Sequence, residues 1–135
     1  MLEKITTSLE NSKRLKELGF DKESIFYWSI RIKEENKPRK IIDLKEFKAY
    51  GKLVYQIEGK AYTADELLEY MPNIVKINGE NYILKITKNK VYYGQVNVGN
   101  YYQEIKTNLS NALAELLIYL LENKLYAQLQ INNNK

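Results

Sequence analysis

Ile74-Val75-Lys76-Ile77-Asn78-Gly79-Glu80-Asn81-Tyr82-Ile83-Leu84-Lys85-Ile86-Thr87 is the stretch that decides the fold. Asn-Gly is the preferred central pair of a type I′ turn, whose twist matches that of the strands it joins. It connects a strand at 74–77 to one at 82–87. Lys88-Asn89-Lys90 then turns the chain into a strand at 91–98, and Gly99-Asn100, read as a II′ turn, leads to a last strand at 101–106. The result is an antiparallel meander.

Working outward, Asn108 or Thr107 caps a long helix that runs to the neighbourhood of Tyr126. Leu109, Leu113, Leu116, Leu117, Leu120 and Leu121 give it a broad apolar stripe, so it is expected to be the most deeply packed helix. Residues 130–135 read as a frayed polar tail. Upstream of the meander, Thr63 and Glu66 form a capping box for a helix at 64–70, with Tyr62 and Leu67 as its hydrophobic staple. Met71-Pro72 ends that helix, since the residue before proline avoids the α region.

At the beginning of the chain, Thr7-Ser8-Leu9-Glu10 has capping-box form with Thr7 as N-cap, and Gly19 is placed to end the helix with Phe20 folding back on it. Phe26, Trp28, Ile30 and Ile32 alternate with Tyr27, Ser29, Arg31 and Lys33, the period of a half-buried strand. Residues 34–40 form a charged tip. Residues 41–50 read either as a short helix ended by Gly51 or as an irregular excursion, and a second strand covers 53–58. Together these elements define an α+β domain over residues 1–135. Its antiparallel sheet has about five to six strands, including the meander, with helices packed on one face.

Across 135 residues there is no histidine and no cysteine. Those are the usual general bases, nucleophiles and transition-metal ligands near neutral pH, so catalytic triads, zinc sites and thiol chemistry lose their starting materials. No constellation of the remaining carboxylates, lysines, tyrosines and hydroxyls spells a reaction. The chain is expected to be non-enzymatic and without cofactor or metal. Asp65-Glu66-x-x-Glu69 reads as helix-dipole complementation rather than a metal site.

The start of the chain has no apolar signal-peptide core, and the longest greasy run, 116–121, is far short of the ~20 residues of a membrane span. A cytoplasmic protein with no membrane partner is the expectation. The net charge of +4 invites a nucleic-acid reading, but the charges are interspersed and only three of the 21 cations are arginine. Lys, Asn, Ile, Tyr, Phe and Met number 63 against 17 for Gly, Ala, Arg and Pro, as AT-rich coding produces, so twelve tyrosines are no proof of a binding surface.

If helices cover one sheet face, alternation assigns the other. Tyr27, Arg31, Lys85, Tyr93 and Tyr102 are the residues expected there, an array suited to stacking and to anions. Trp28 belongs to the apolar face, and Gly94 inside a strand marks a bulge or close backbone approach. The unbroken apolarity of 116–121 also raises a homodimer through the last helix.

Three segments carry a resemblance. They are Ser12-Lys13-Arg14-Leu15-Lys16-Glu17-Leu18-Gly19 running into Phe26-Tyr27-Trp28, then Tyr62-Thr63-Ala64-Asp65-Glu66-Leu67-Leu68-Glu69-Tyr70-Met71-Pro72, then Asn111-Ala112-Leu113-Ala114-Glu115-Leu116-Leu117-Ile118-Tyr119-Leu120-Leu121-Glu122-Asn123. In this order and spacing the chain resembles small uncharacterised proteins encoded by phages and prophages of Bacteroidota and similar gut bacteria. The resemblance implies an accessory protein that acts by binding, with host takeover or interference with host defence as its setting. A host or phage protein is then the expected partner; a sequestered nucleotide or single-stranded nucleic acid is the alternative.

Overall fold

The computed structural model describes residues 2–31, 40–77, 79–95, 98–104 and 108–124. Residues 34–39 of the expected charged tip, Asn78 of the turn pair, Tyr126 and the polar tail lie outside them. The elements are α1 (Leu9–Glu17), β1 (Phe26–Arg31), β2 (Lys40–Asp43), α2 (Leu44–Val54), β3 (Tyr55–Lys60), α3 (Ala64–Tyr70), β4 (Ile74–Ile77), β5 (Glu80–Ile86), β6 (Lys90–Gln95), β7 (Val98–Glu104) and α4 (Leu109–Glu122). The class is α+β with antiparallel pairing throughout the described strands. The strands divide into two sheets, β2-β1-β3 and β4-β5-β6-β7.

Local signals account for most helix ends. At the end of α1, Phe20 N donates to Leu15 O at 2.9 Å and Gly19 N to Lys16 O at 3.0 Å, a Schellman motif with Gly19 at φ +87°. The Thr63–Glu66 capping box of α3 is complete in both directions. Glu66 does more than cap, because its carboxylate also accepts from Ser24 Oγ at 2.9 Å and Ile25 N at 3.0 Å and so ties the start of β1 to α3. Gly79, at φ +83°, supplies the left-handed turn position of the first hairpin.

Four expectations shift. The N-cap of α1 is Ser8, whose Oγ accepts from Asn11 N at 3.2 Å, and Thr7 turns into the interior instead. Residues 41–54 form β2 and then α2, which runs through Gly51, so β3 starts at Tyr55. A helical glycine costs only ~1 kcal/mol, which the packing of α2 against β1, β2 and β3 offsets. Gly99 and Asn100 sit inside β7 rather than in a turn, because Gln95 already pairs with Val98. Finally, α4 ends at Glu122, where Asn123 is the C-cap and Lys124 adopts φ 61°.

The main core lies where α4 crosses the inner face of the four-stranded sheet. Leu113, Leu116, Leu117 and Leu120 pack there with Val75, Tyr82, Val91 and Tyr93, and Leu15, Phe20, Tyr62 and Leu67 close the cluster. Leu116, Leu117, Ile118 and Leu120 are all buried inside this one chain, so burial in the monomer already accounts for the apolar run. The smaller sheet is organised differently. Tyr27 stacks on Phe47 of α2, whereas the indole of the next residue, Trp28, donates to Thr7 O beside α1 at 2.9 Å. Consecutive strand residues point to opposite faces, so α1 and α2 lie on opposite sides, and neighbouring Ile41 and Ile42 of β2 are both buried.

Candidate functional site

Alternation and burial together define the outer face of the four-stranded sheet. Val75, Tyr82, Val91 and Tyr93 go inward, which leaves Ile74, Lys76, Asn81, Ile83, Lys85, Lys90, Tyr92 and Gly94 on the face away from α4. Ile74 and Ile83 are direct cross-strand partners, and each is 48% exposed. Lys76 pairs with Asn81, and Lys85 pairs with Tyr92. The Lys90 ammonium stands 5.1 Å from the centre of the Tyr92 ring. Lys76 and Lys85 each lie two residues along their strand from the isoleucine pair, and Lys90, further along the face, is the Cα partner of Glu104 in β7.

The five residues expected on an open face do not form one surface. Lys85 is exposed on this outer face, and Tyr102 of β7 has Tyr92 as its Cα partner, so these two positions align across three strands. Tyr93 is a correction. It is fully buried, and its hydroxyl donates to Pro72 O at 2.7 Å. Val91-Tyr92-Tyr93 is apolar in both alternation phases, and docking of α4 selects the phase that buries Val91 and Tyr93. Gly94 falls where the β6–β7 register shifts, between Tyr93 and Gln95, as a strand glycine signals.

Tyr27 and Arg31 belong to the other sheet. Arg31 ends β1 opposite Tyr55. Tyr27 is the Cα partner of Lys60, and both line two adjoining clefts at the β3 edge. The smaller, ≈ 230 Å³, lies between the end of α1 and β3; the larger, ≈ 590 Å³, opens toward α2 and α3. Lys60 Nζ contacts Asp21 Oδ1 at 2.8 Å and donates to Lys22 O at 2.7 Å. The hydrogen bond from Lys60, then its charge, holds the Asp21 carboxyl below its ordinary range.

Beside them, Tyr62 OH donates to Lys22 O at 3.0 Å and accepts from Lys22 N at 3.1 Å. Burial is the main cause that pushes the Tyr62 phenol far above its ordinary value, with the nearby Asp21 and Glu66 charges adding to it. A raised folded-state value means that the Tyr62 contribution to stability is complete below the unfolded phenol range near 10 and is lost as pH rises above it. Tyr62→Phe is therefore expected to give a shallower loss of stability between about pH 10 and 12 than the parent chain, read by urea midpoints across that range.

Sequence reasoning missed Lys60, Ile74, Ile83 and Tyr92. Ile74 and Lys76, like Ile83 and Lys85, share one alternation phase opposite Val75 and Tyr82, so that part was within reach of the pattern. Lys60 was not, because its role depends on Asp21 and Lys22 being brought alongside. Among the described residues, no helix is long and apolar enough to cross a membrane, and no three acidic groups converge as a metal ion would need. Comparison with protein-family models, curated proteins and solved structures finds no match.

Proposed function

We propose that this chain is a non-enzymatic binding protein that docks an acidic surface of a partner protein on the outer face of its four-stranded sheet. The observation that carries this reading is the Ile74–Ile83 pair, half exposed and flanked by Lys76 and Lys85. An apolar centre with a charged rim is how protein interfaces are built, and exposed Lys76 and Lys85 beside the isoleucine pair favour an acidic partner. Nucleic acid fits less well. Tyr92 is the one described ring of this face, whereas single-strand binding sets successive bases on several aromatic side chains. The setting follows from the resemblance noted in the sequence: a phage or prophage accessory protein engaging a host protein in the cytoplasm, in takeover or in interference with defence.

The test compares the parent chain with the double variant Ile83→Asp, Lys85→Glu, both checked for an unchanged circular dichroism spectrum, as baits in a Bacteroidota lysate. An acidic protein retained by the parent and reduced about tenfold or more on the variant is the expected result. Equal retention on both baits overturns the assignment of this face. Tight capture of an oligothymidylate, falling steeply with salt, makes single-stranded nucleic acid the partner instead.

A further inference from the structure

We infer that the smaller cleft beside Tyr27 and Lys60 is a binding site for a small planar anion, an aromatic ring that carries one carboxylate or phosphate. It is separate from the outer face of the four-stranded sheet and stands independently of the partner reading.

The site is built before any ligand arrives. Tyr27 is held by Phe47, ring centres 5.0 Å apart and 30° from coplanar. Phe20 and Tyr62 also line the cleft, edge to face at 5.2 Å and 65°, and both are almost wholly buried. The Tyr62 hydroxyl is pinned by both backbone groups of Lys22. Gly59 lines the cleft without a side chain; a Cβ there would come within 3.4 Å of Ser12 Cβ. Rigid aromatic walls spare a ligand the entropy of ordering them.

The cation is equally fixed. An ammonium has three donors. Lys60 directs one to Asp21 and one to Lys22 O, and its side chain is only 25% exposed. The third has no acceptor among the described residues, on a side chain that lines the cleft. A hydrogen bond from it to a ligand oxygen is charge-assisted and so among the stronger kinds.

Charge decides between the two adjoining spaces. The larger cleft carries Glu23, Glu66 and Glu69 against Lys48 and Lys60, and so repels an anion. The smaller carries Lys16 and Lys60 against Asp21 alone, and that carboxylate is already paired with Lys60. Size sets the rest. At ≈ 230 Å³ the space is below the usual range for drug-sized ligands, which suits one ring system with a short acidic arm.

The test is an amide-resolved NMR titration of the full chain with indole-3-acetate and with adenosine monophosphate. Their neutral counterparts, indole-3-ethanol and adenosine, and inorganic phosphate serve as the partial probes. Saturable shifts at Tyr27, Gly59 and Lys60 are expected with at least one ring-bearing anion, with affinity about tenfold or more above its neutral counterpart and above phosphate. Preference for indole-3-acetate assigns an aromatic carboxylate; preference for adenosine monophosphate assigns a mononucleotide. Lys60→Met is expected to weaken binding about tenfold. Lys16→Met, which leaves the Asp21–Lys60 pair intact, is expected to weaken it less. Absence of saturable shifts at those amides, equal binding of the neutral compounds or of phosphate, or full affinity in both variants overturns the proposal.

Discussion

Tyr93→Ala is expected to remove about 3–5 kcal/mol of unfolding free energy, the cost of deleting a large aromatic side chain from a packed core. Tyr93 is fully buried among Val75, Val91, Leu113 and their neighbours in the cluster between α4 and the four-stranded sheet. Tyr93→Phe keeps the ring but removes the 2.7 Å hydrogen bond to Pro72 O, and is expected to cost about 0.5–1.5 kcal/mol. Urea denaturation of the three proteins measures both steps. A tyrosine on the open face would behave otherwise, with alanine there within about 0.5 kcal/mol of the parent. Lost binding in Tyr93→Ala would therefore reflect unfolding, and the outer face is better probed at Ile83 and Lys85.

The second large effect lies at Thr7, which is hydrogen-bonded to Tyr62 of the same core. Thr7→Val is expected to cost about 2–4 kcal/mol, although it hardly changes shape, because two buried polar groups lose their partner. Thr7 is fully buried; its Oγ1 accepts from Tyr62 N at 3.1 Å and shares a 2.7 Å hydrogen bond with Ser12 Oγ. Thr7→Ser keeps the hydroxyl and is expected to recover most of the loss in the same denaturation experiment. A cost as large for serine as for valine would mean that the methyl group, not the hydrogen bonds, matters.

Thr7 belongs to a polar seam that joins the two halves of the structure. Its own amide donates to Tyr62 O at 2.8 Å, and its carbonyl receives the Trp28 indole. On the other side, Ser110 Oγ donates to Ile5 O at 2.7 Å and Asn108 Nδ2 to Thr6 O at 3.1 Å. Asn111 Oδ1 accepts from Ser8 N and from Asn11 Nδ2. Residues 5–8 are thereby held between the β1–β3 region and the start of α4. Nothing in the local pattern announces this, and Thr7 reads there as a helix cap.

The legible parts of the fold share one property, which is that their determinants are close along the chain. The Thr63–Glu66 box, the Gly19 ending of α1, the Asn108 cap of α4 and the hairpin around Gly79 each rest on contacts within a few residues. The less legible parts need distant partners. Gly51 reads as a helix end because glycine is a poor helix former, yet α2 continues through it, supported by the strands it packs on. Gly99-Asn100 reads as a turn, yet pairing with β6 keeps both residues in a strand.

The candidate sites divide the same way. Sequence by itself determined the chemical repertoire, with no imidazole and no thiol, the α+β class, the antiparallel meander and the exposed position of Lys85. Composition and turn chemistry are properties of the local chain, so they survive without knowledge of the rest. Tertiary structure alone decided that the strands form two sheets, that Tyr93 faces α4, and that Lys60 is clamped by Asp21 and Lys22 beside Tyr27. Strand alternation has two phases of nearly equal apolarity here, and only burial against a helix from elsewhere in the chain makes one of them lower in free energy.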